Sequence, residues 1–232
     1  MTDCPRDAPG ETCVSPPTRP GTPRDVARTT RPAARIRELA DLAARCTDCA
    51  LYERATQVVF GAGAVPAPLM FLGEQPGDRE DRAGEPFVGP AGGVLRSACA
   101  DAGIDLDRCY VTNAVKHFKW ERSGKVRLHK TPNATEVRAC SQWWERELEV
   151  VSPRVLCCLG ATAAKAVLGP SFRITRDRGA FVRLAERHVD VVATFHPSAL
   201  LRARDGDRDE MYAAFAHDLG EVARRVDDGS TI

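Results

Sequence analysis

Four short apolar runs, each ending in a glycine-rich or polar turn and separated by helical patterns, constrain this chain most. They lie at 68–72, 110–113, 154–159 and 189–195. Runs this short and uniformly apolar read as strands buried on both faces, and strands alternating with helices build a parallel sheet covered on both sides. Helical patterns occupy 91–102, 136–151 and 161–168, with a closing helix at 209–226 and a further short strand at 181–184. The expected fold class is α/β: a three-layer α/β/α sandwich around a central, mostly parallel four-stranded sheet. In such a sheet the ligand crevice lies beyond the carboxyl ends of the strands. That rule gathers Gly73-Glu74-Gln75, Asn113, Gly160 and His196-Pro197-Ser198 at one edge.

Each of these residues has two readings. Glu74 at a strand end is placed to orient a nucleophile or stabilise positive charge, or is part of a tight Gly73-Glu74-Gln75-Pro76-Gly77-Asp78 turn. Phe87, between Pro86 and Pro90, is a rigid stacking platform or ordinary core. Asn113 offers a donor and an acceptor that complement a pyrimidine edge, or caps a loop. His196, pinned by Pro197, is a site residue or a structural one.

A net charge of only +1 over 232 residues means that affinity for a polyanion must come from local clustering. The segment after Asn113 is such a cluster: Lys116, Lys119, Arg122, Lys125, Arg127 and Lys130 stand against Glu121 alone, interleaved with His117, Phe118, Trp120 and His129. Cations for phosphates and rings for bases are what a nucleic-acid contact needs, so Lys116, Lys125, Arg127 and Lys130 are candidate DNA contacts. No apolar run approaches the roughly 20 residues that span a bilayer, and the amino terminus lacks a signal-peptide core, so a cytoplasmic location without membrane contact is expected. The first 36 residues hold seven of the 16 prolines and almost no apolar periodicity. Residues 1–35 therefore read as a disordered tail and 36–228 as the folded domain, opening on a helix at Ile36.

Nine cysteines are many for such a chain. Cys46-Thr47-Asp48-Cys49 closes the first helix, and Cys140 and Cys157 form a second pair. Four thiolates suit tetrahedral zinc or a 4Fe-4S cluster equally, and spacing does not choose between them. Cys99, Cys109, Cys140, Cys157 and Cys158 also read as small buried hydrophobes.

Taken together, the four cysteines, Gly73-Glu74-Gln75-Pro76-Gly77, Pro86-Phe87-Val88-Gly89-Pro90, Val111-Thr112-Asn113-Ala114-Val115-Lys116, Leu159-Gly160-Ala161-Thr162-Ala163-Ala164-Lys165 and His196-Pro197-Ser198 resemble the uracil-DNA glycosylase superfamily. Gln75 and the loop ending at Leu128-His129-Lys130 resemble its UdgX group, a relative of the iron-sulfur family 4 enzymes. The resemblance implies a 4Fe-4S cluster on Cys46, Cys49, Cys140 and Cys157, with Cys158 as an alternative fourth ligand. It implies that Phe87 stacks on an extruded uracil, Asn113 reads its edge, His196 stabilises the departing base, Glu74 supports chemistry at the sugar carbon, and Gly73, Gln75 and Ser198 shape the pocket. It further implies that His129 attacks C1′ and leaves the protein covalently attached to abasic DNA, in the manner of a DNA-repair enzyme. A monomer acting on uracil-containing DNA, single-stranded by preference, is the simplest expectation. The family loop reads Lys-Arg-Arg-Ile-His where this chain has Lys125-Val126-Arg127-Leu128-His129, so the guanidinium lost at Val126 is where covalent capture is most exposed. A conventional turnover glycosylase relying on Glu74 and His196, a non-catalytic uracil-DNA binding module and a zinc-binding regulator are the competing expectations.

Overall fold

The computed structural model describes residues 23–228. Of the tail expected over 1–35, residues 1–22 lie outside that range. From Pro23 the chain is already helical, with α1 spanning Pro23–Ala43 and Pro32 inside it. Ile36, where apolar periodicity begins, packs on the main core and Ala43, the last residue of α1, is fully buried in a smaller cluster, which is why the sequence pattern reveals only the later turns.

The main sheet has six strands: β1 (Ala62–Gly63), β2 (Leu69–Gly73), β3 (Tyr110–Asn113), β6 (Val155–Leu159), β7 (Val182–Leu184) and β8 (Val189–Thr194), in the order β1-β3-β2-β6-β8-β7. The four inner strands are parallel, and β1 and β7 add antiparallel edges. The four-stranded parallel core is present and is one strand wider on each side. A two-residue edge strand such as β1 carries no periodicity to read. β4 (Trp120–Ser123) and β5 (Val126–His129) form a separate hairpin within the segment expected to be a loop.

Side chains alternate across the sheet with the period of two that strands impose. Leu69, Phe71, Val155, Cys157, Leu159 and Val192 pack against Leu95 and Ala98 of α3 (Pro90–Asp101) and Phe215, Leu219 and Val222 of α8 (Asp205–Asp228). Met70, Leu72, Leu156, Cys158, Val191 and Ala193 face Trp144, Leu148 and Val151 of α4 (Ala134–Val151) and Ala163 and Ala164 of α5 (Ala161–Leu168). Phe71 is wholly buried between β3 and β6. Truncating such a residue to alanine typically costs about 3–5 kcal/mol.

The short helices α2 (Asp78–Ala83), α6 (Ile174–Asp177) and α7 (Pro197–Arg202) complete the fold. The chain winds from β2 to β3 on one side and on to β6 and β8 on the other. This reversal opens a crevice at the carboxyl ends of the inner strands.

Candidate active site

Gly73 and Asn113 are register partners at the ends of β2 and β3. A Cβ at position 73 would strike Asn113 Oδ1 and come within 2.8 Å of Phe87 Cζ, so only glycine lets these two side chains converge. Phe87 adopts a left-handed backbone with φ 58, a costly conformation for a non-glycine residue that persists only where its surroundings hold it. Those surroundings are identifiable. The Glu80 carboxylate accepts from the Gly89 N–H at 2.7 Å and the Gly77 N–H at 3.1 Å, tying together the loops that carry Phe87 and Gln75. Arg96 donates to the Phe87 carbonyl at 3.2 Å. The Phe87 ring stacks 6.2 Å from that of His196, at 28°. A cavity of about 310 Å³ adjoins them, lined among others by Gln75, Phe87, Asn113, His129, His196 and Ser198.

β8 ends at Thr194, and two residues on, His196 caps the N-terminus of α7, which Pro197 opens. Its Nδ1 accepts from the Ser198 N–H at 3.1 Å and lies 2.8 Å from Ser198 Oγ, which itself receives Arg202 at 3.1 Å. A ring nitrogen that accepts a backbone N–H carries no proton, so in the neutral ring the proton sits on Nε2. Burial pushes the His196 pKa down to about 4, helped by Arg202 and His129. His196 is therefore a neutral donor, suited to a carbonyl oxygen on which charge develops.

His129 ends β5 on the opposite wall. Its Nε2 is 2.8 Å from Gln75 Nε2 and 3.8 Å from Glu74 Oε1. Gln75 Oε1 accepts the Lys119 N–H at 2.9 Å and its Nε2 donates to the Lys130 carbonyl at 2.9 Å. The amide orientation is thus fixed by the backbone, and Gln75 can only donate to His129. The Nε2 lone pair consequently accepts the Gln75 N–H and the ring proton sits on Nδ1. Burial lowers the His129 pKa, the Glu74 carboxylate opposes it and Arg202 reinforces it, so the imidazole is neutral near pH 7. A second cavity of about 550 Å³ adjoins the first and adds Glu74, Leu128, Ile174 and Phe195 to the shared His129, His196 and Arg202.

The basic segment differs from its sequence reading in three ways. Lys116 is buried to 1% exposure, its Nζ 2.5 Å from Glu147 Oε2 and 2.9 Å from the Asn113 carbonyl, so it anchors the site from behind and contacts no DNA. Glu147 also accepts from Gly61 N–H, Tyr110 OH and Thr112 Oγ1, as a buried charge requires. Arg127 points inward to Asp78 and Asp81, 2.6 Å from Asp81 Oδ2, and lies 5.4 Å over the rings of both Phe118 and Trp120. It clamps the hairpin to α2 and is not a free phosphate ligand. Phe118 is buried, and the half-buried Trp120 donates its Nε1–H to the Arg54 carbonyl and carries the Arg54 and Arg127 guanidiniums 5.6 and 5.4 Å over its ring, so its faces are engaged by cations of the protein itself. Lys125 is exposed, and Lys130 is half-exposed beside Glu121. Val126 is 59% exposed.

Cys46, Cys49 and Cys140 share a small apolar cluster with Val115 and Trp143. Burial raises Cys140 to about 12, with Cys49 and Cys46 adding to the rise. Trp143 Nε1 lies 3.3 Å from Cys46 Sγ, and the Lys116 N–H donates to Cys140 Sγ at 3.2 Å. Three sulfurs with N–H donors suit a thiolate cluster. The fourth expected ligand does not fit: Cys157 lies mid-strand in β6 among Leu69, Phe71, Cys99 and Cys109, and Cys158 faces the opposite helical layer. A strand in the middle of the sheet cannot bring either sulfur to the end of α1. Among the described residues, no three His, Cys, Asp or Glu side chains converge closely enough to hold a metal.

Arg202, Glu80 and Thr162 touch the site and were not singled out from sequence. Arg202 stands four residues after Ser198, one helical turn, and that spacing was the available signal. Glu80 and Thr162 act through loops whose approach no local pattern encodes.

Residues 60–220 match the family model described as the uracil DNA glycosylase superfamily. Over 164 residues the chain is 35% identical to the type-4 uracil-DNA glycosylase of Thermotoga maritima, covering 70% of this chain and 81% of that one. It is 33% identical over 163 residues to the type-4 uracil-DNA glycosylase of Sulfurisphaera tokodaii, covering 67% and 71%. A type-5 uracil-DNA glycosylase of Pyrobaculum aerophilum is 36% identical over 106 residues, 45% of this chain and 42% of that one.

Proposed function

The chain belongs to the uracil DNA glycosylase superfamily, and from that premise we propose that it excises uracil from DNA and captures the resulting abasic site on His129. The observation that carries the reading is the position of His129 Nε2, 2.8 Å from Gln75 and 3.8 Å from Glu74, on the wall shared by the two cavities.

An unpaired or flipped uracil stacks on Phe87 and meets the Asn113 amide. Its carbonyl oxygen receives the Nε2–H of His196. As the C1′–N1 bond breaks, its electron pair moves onto the base, where a preorganised donor in a water-poor pocket is worth most. Positive charge grows on C1′ and faces the Glu74 carboxylate. The His129 Nε2 lone pair leaves Gln75 and forms the new C1′–N bond, its effective concentration far above that of water. The alkylated ring gives up its Nδ1 proton to solvent and uracil takes one up, so atoms and charge balance.

The substrate in this reading is single-stranded DNA, gripped by exposed cations such as Lys125, and the enzyme is a cytoplasmic monomer. The proposal includes a 4Fe-4S cluster with a structural role, held by Cys46, Cys49 and Cys140. The buried His117, which follows the residue bonded to Cys140, takes the place expected of Cys157.

The type-4 relatives favour a second reading, turnover with water attacking from the larger cavity beside Glu74. Counting free uracil decides between them. Capture releases no more than one equivalent per protein, and turnover releases many. Reversible binding with no uracil released would sink both.

A further inference from the structure

Among the described residues, Glu74 is the one carboxylate lining the larger cavity, and its main chain is fixed: its carbonyl accepts the Val115 N–H at 3.0 Å. Its side chain is another matter. Among the described residues, one hydrogen bond reaches that carboxylate, from Thr162 Oγ1 to Oε2 at 2.6 Å. The other oxygen, Oε1, faces His129 Nε2 at 3.8 Å, too far for a hydrogen bond.

The way Thr162 arrives there is specific. β6 ends at Leu159, and Gly160 turns the chain into α5 at φ 90, a left-handed value suited to glycine. A Cβ at position 160 would also lie 2.8 Å from His196 Cβ. This tight turn sets Thr162 in the first turn of α5, with its hydroxyl at the sheet edge and not over its own helix. Threonine has two heavy atoms on Cβ and so few χ1 choices, which holds the hydroxyl in place better than serine does. A charge-assisted bond of this length is among the stronger contacts a neutral donor makes.

We infer that Thr162 is the positioning residue that commits Oε2 of Glu74 and leaves Oε1 as the single oxygen facing the reacting sugar carbon. The inference rests on the glycosylase reading of the site. Without the bond, the carboxylate spreads over its rotamers, and the oxygen that stabilises charge at C1′ is in place only part of the time. Base affinity, which depends on Phe87 and Asn113, does not involve this contact.

The test uses single-turnover uracil release from a uracil-containing single-stranded oligonucleotide by wild type, Thr162→Val, Thr162→Ser, Glu74→Gln and the Thr162→Val/Glu74→Gln double variant. Thr162→Val, which keeps the shape, should lower the limiting rate about tenfold or more while the half-saturating oligonucleotide concentration stays within about twofold. Thr162→Ser should stay within about threefold of wild type. In the Glu74→Gln background, Thr162→Val should have no further effect, which a purely structural contribution to folding would not produce. If wild type releases uracil and Thr162→Val matches it, or weakens binding in proportion to rate, or adds its full effect to Glu74→Gln, the inference is overturned while the function stands. A wild type that releases no uracil overturns both.

Discussion

Gln75 Nε2 lies 2.8 Å from Nε2 of His129, and the Gln75 amide can only donate there, because Lys119 and Lys130 fix which end is oxygen. A nucleophilic lone pair is thereby held in one tautomer and one direction before substrate arrives. Gln75→Glu replaces a donor by an acceptor. It should slow covalent adduct formation about tenfold while uracil release stays within about threefold, as judged by gel shift and free-base assay on the same samples. Equal slowing of both would detach Gln75 from the capture step.

The two neighbouring positions of the hairpin should behave oppositely. Arg127 joins β5 to Asp78 and Asp81, and its loss leaves the buried Asp81 with its hydrogen bonds from Thr56 but without its cation. Arg127→Ala should cut adduct yield by about tenfold or more and destabilise the fold by about 3 kcal/mol in urea unfolding. Val126 is open to solvent, so Val126→Arg should leave adduct yield within about twofold. A large gain on adding that arginine would show that the guanidinium missing from this loop matters after all.

Much of the scaffold was legible because buried strands announce themselves. Tyr110–Asn113 and Ala161–Leu168 stand where their apolar runs indicate. The hairpin was not, because its apolar residues, Val126 and Leu128, alternate without being buried, and the strand pattern normally marks a core face. A sequence puts the charges of Lys116 and Arg127 on the surface because it does not reveal their carboxylate partners. Glu147 is 31 residues from Lys116 and Asp78 is 49 from Arg127. Cys157 has suitable spacing from Cys140, yet a mid-sheet strand takes it away from Cys46 and Cys49.

Lys125 and Lys116 separate phosphate contact from internal support. Lys125→Ala should reduce the steepness of the salt dependence of oligonucleotide binding by about 0.7, the value for one single-strand phosphate contact, without changing the melting temperature. Lys116→Met should strand the Glu147 charge and lower stability by about 3–5 kcal/mol in urea unfolding. A stable Lys116→Met protein with a reduced salt slope would return that lysine to the DNA surface.

The cysteine assignment gives a spectroscopic prediction. Cys140→Ser should lose the visible absorption of a cubane cluster near about 400 nm, and Cys157→Ser should keep it. Loss of colour in Cys157→Ser alone would restore the expected ligand.

His196 makes stability fall on acidification. Its folded pKa of about 4 lies below the ordinary value for histidine, so above pH 6.5 neither folded nor unfolded chain binds the proton and stability is complete. As pH falls from 6.5 towards 4, only the unfolded chain binds it, and up to about 3 kcal/mol is lost. His196→Gln should flatten this part of the urea-midpoint profile between pH 7 and 4.5. An unchanged profile would show that the ring is not buried in its neutral form.

The central claim is that His129 takes the sugar carbon. Wild type incubated with a uracil-containing single-stranded oligonucleotide should give a band that survives hot detergent and grows in step with one equivalent of released uracil. His129→Ser should give no such band while still releasing uracil. A detergent-stable band in His129→Ser, or multiple equivalents of uracil with no band in wild type, would contradict it.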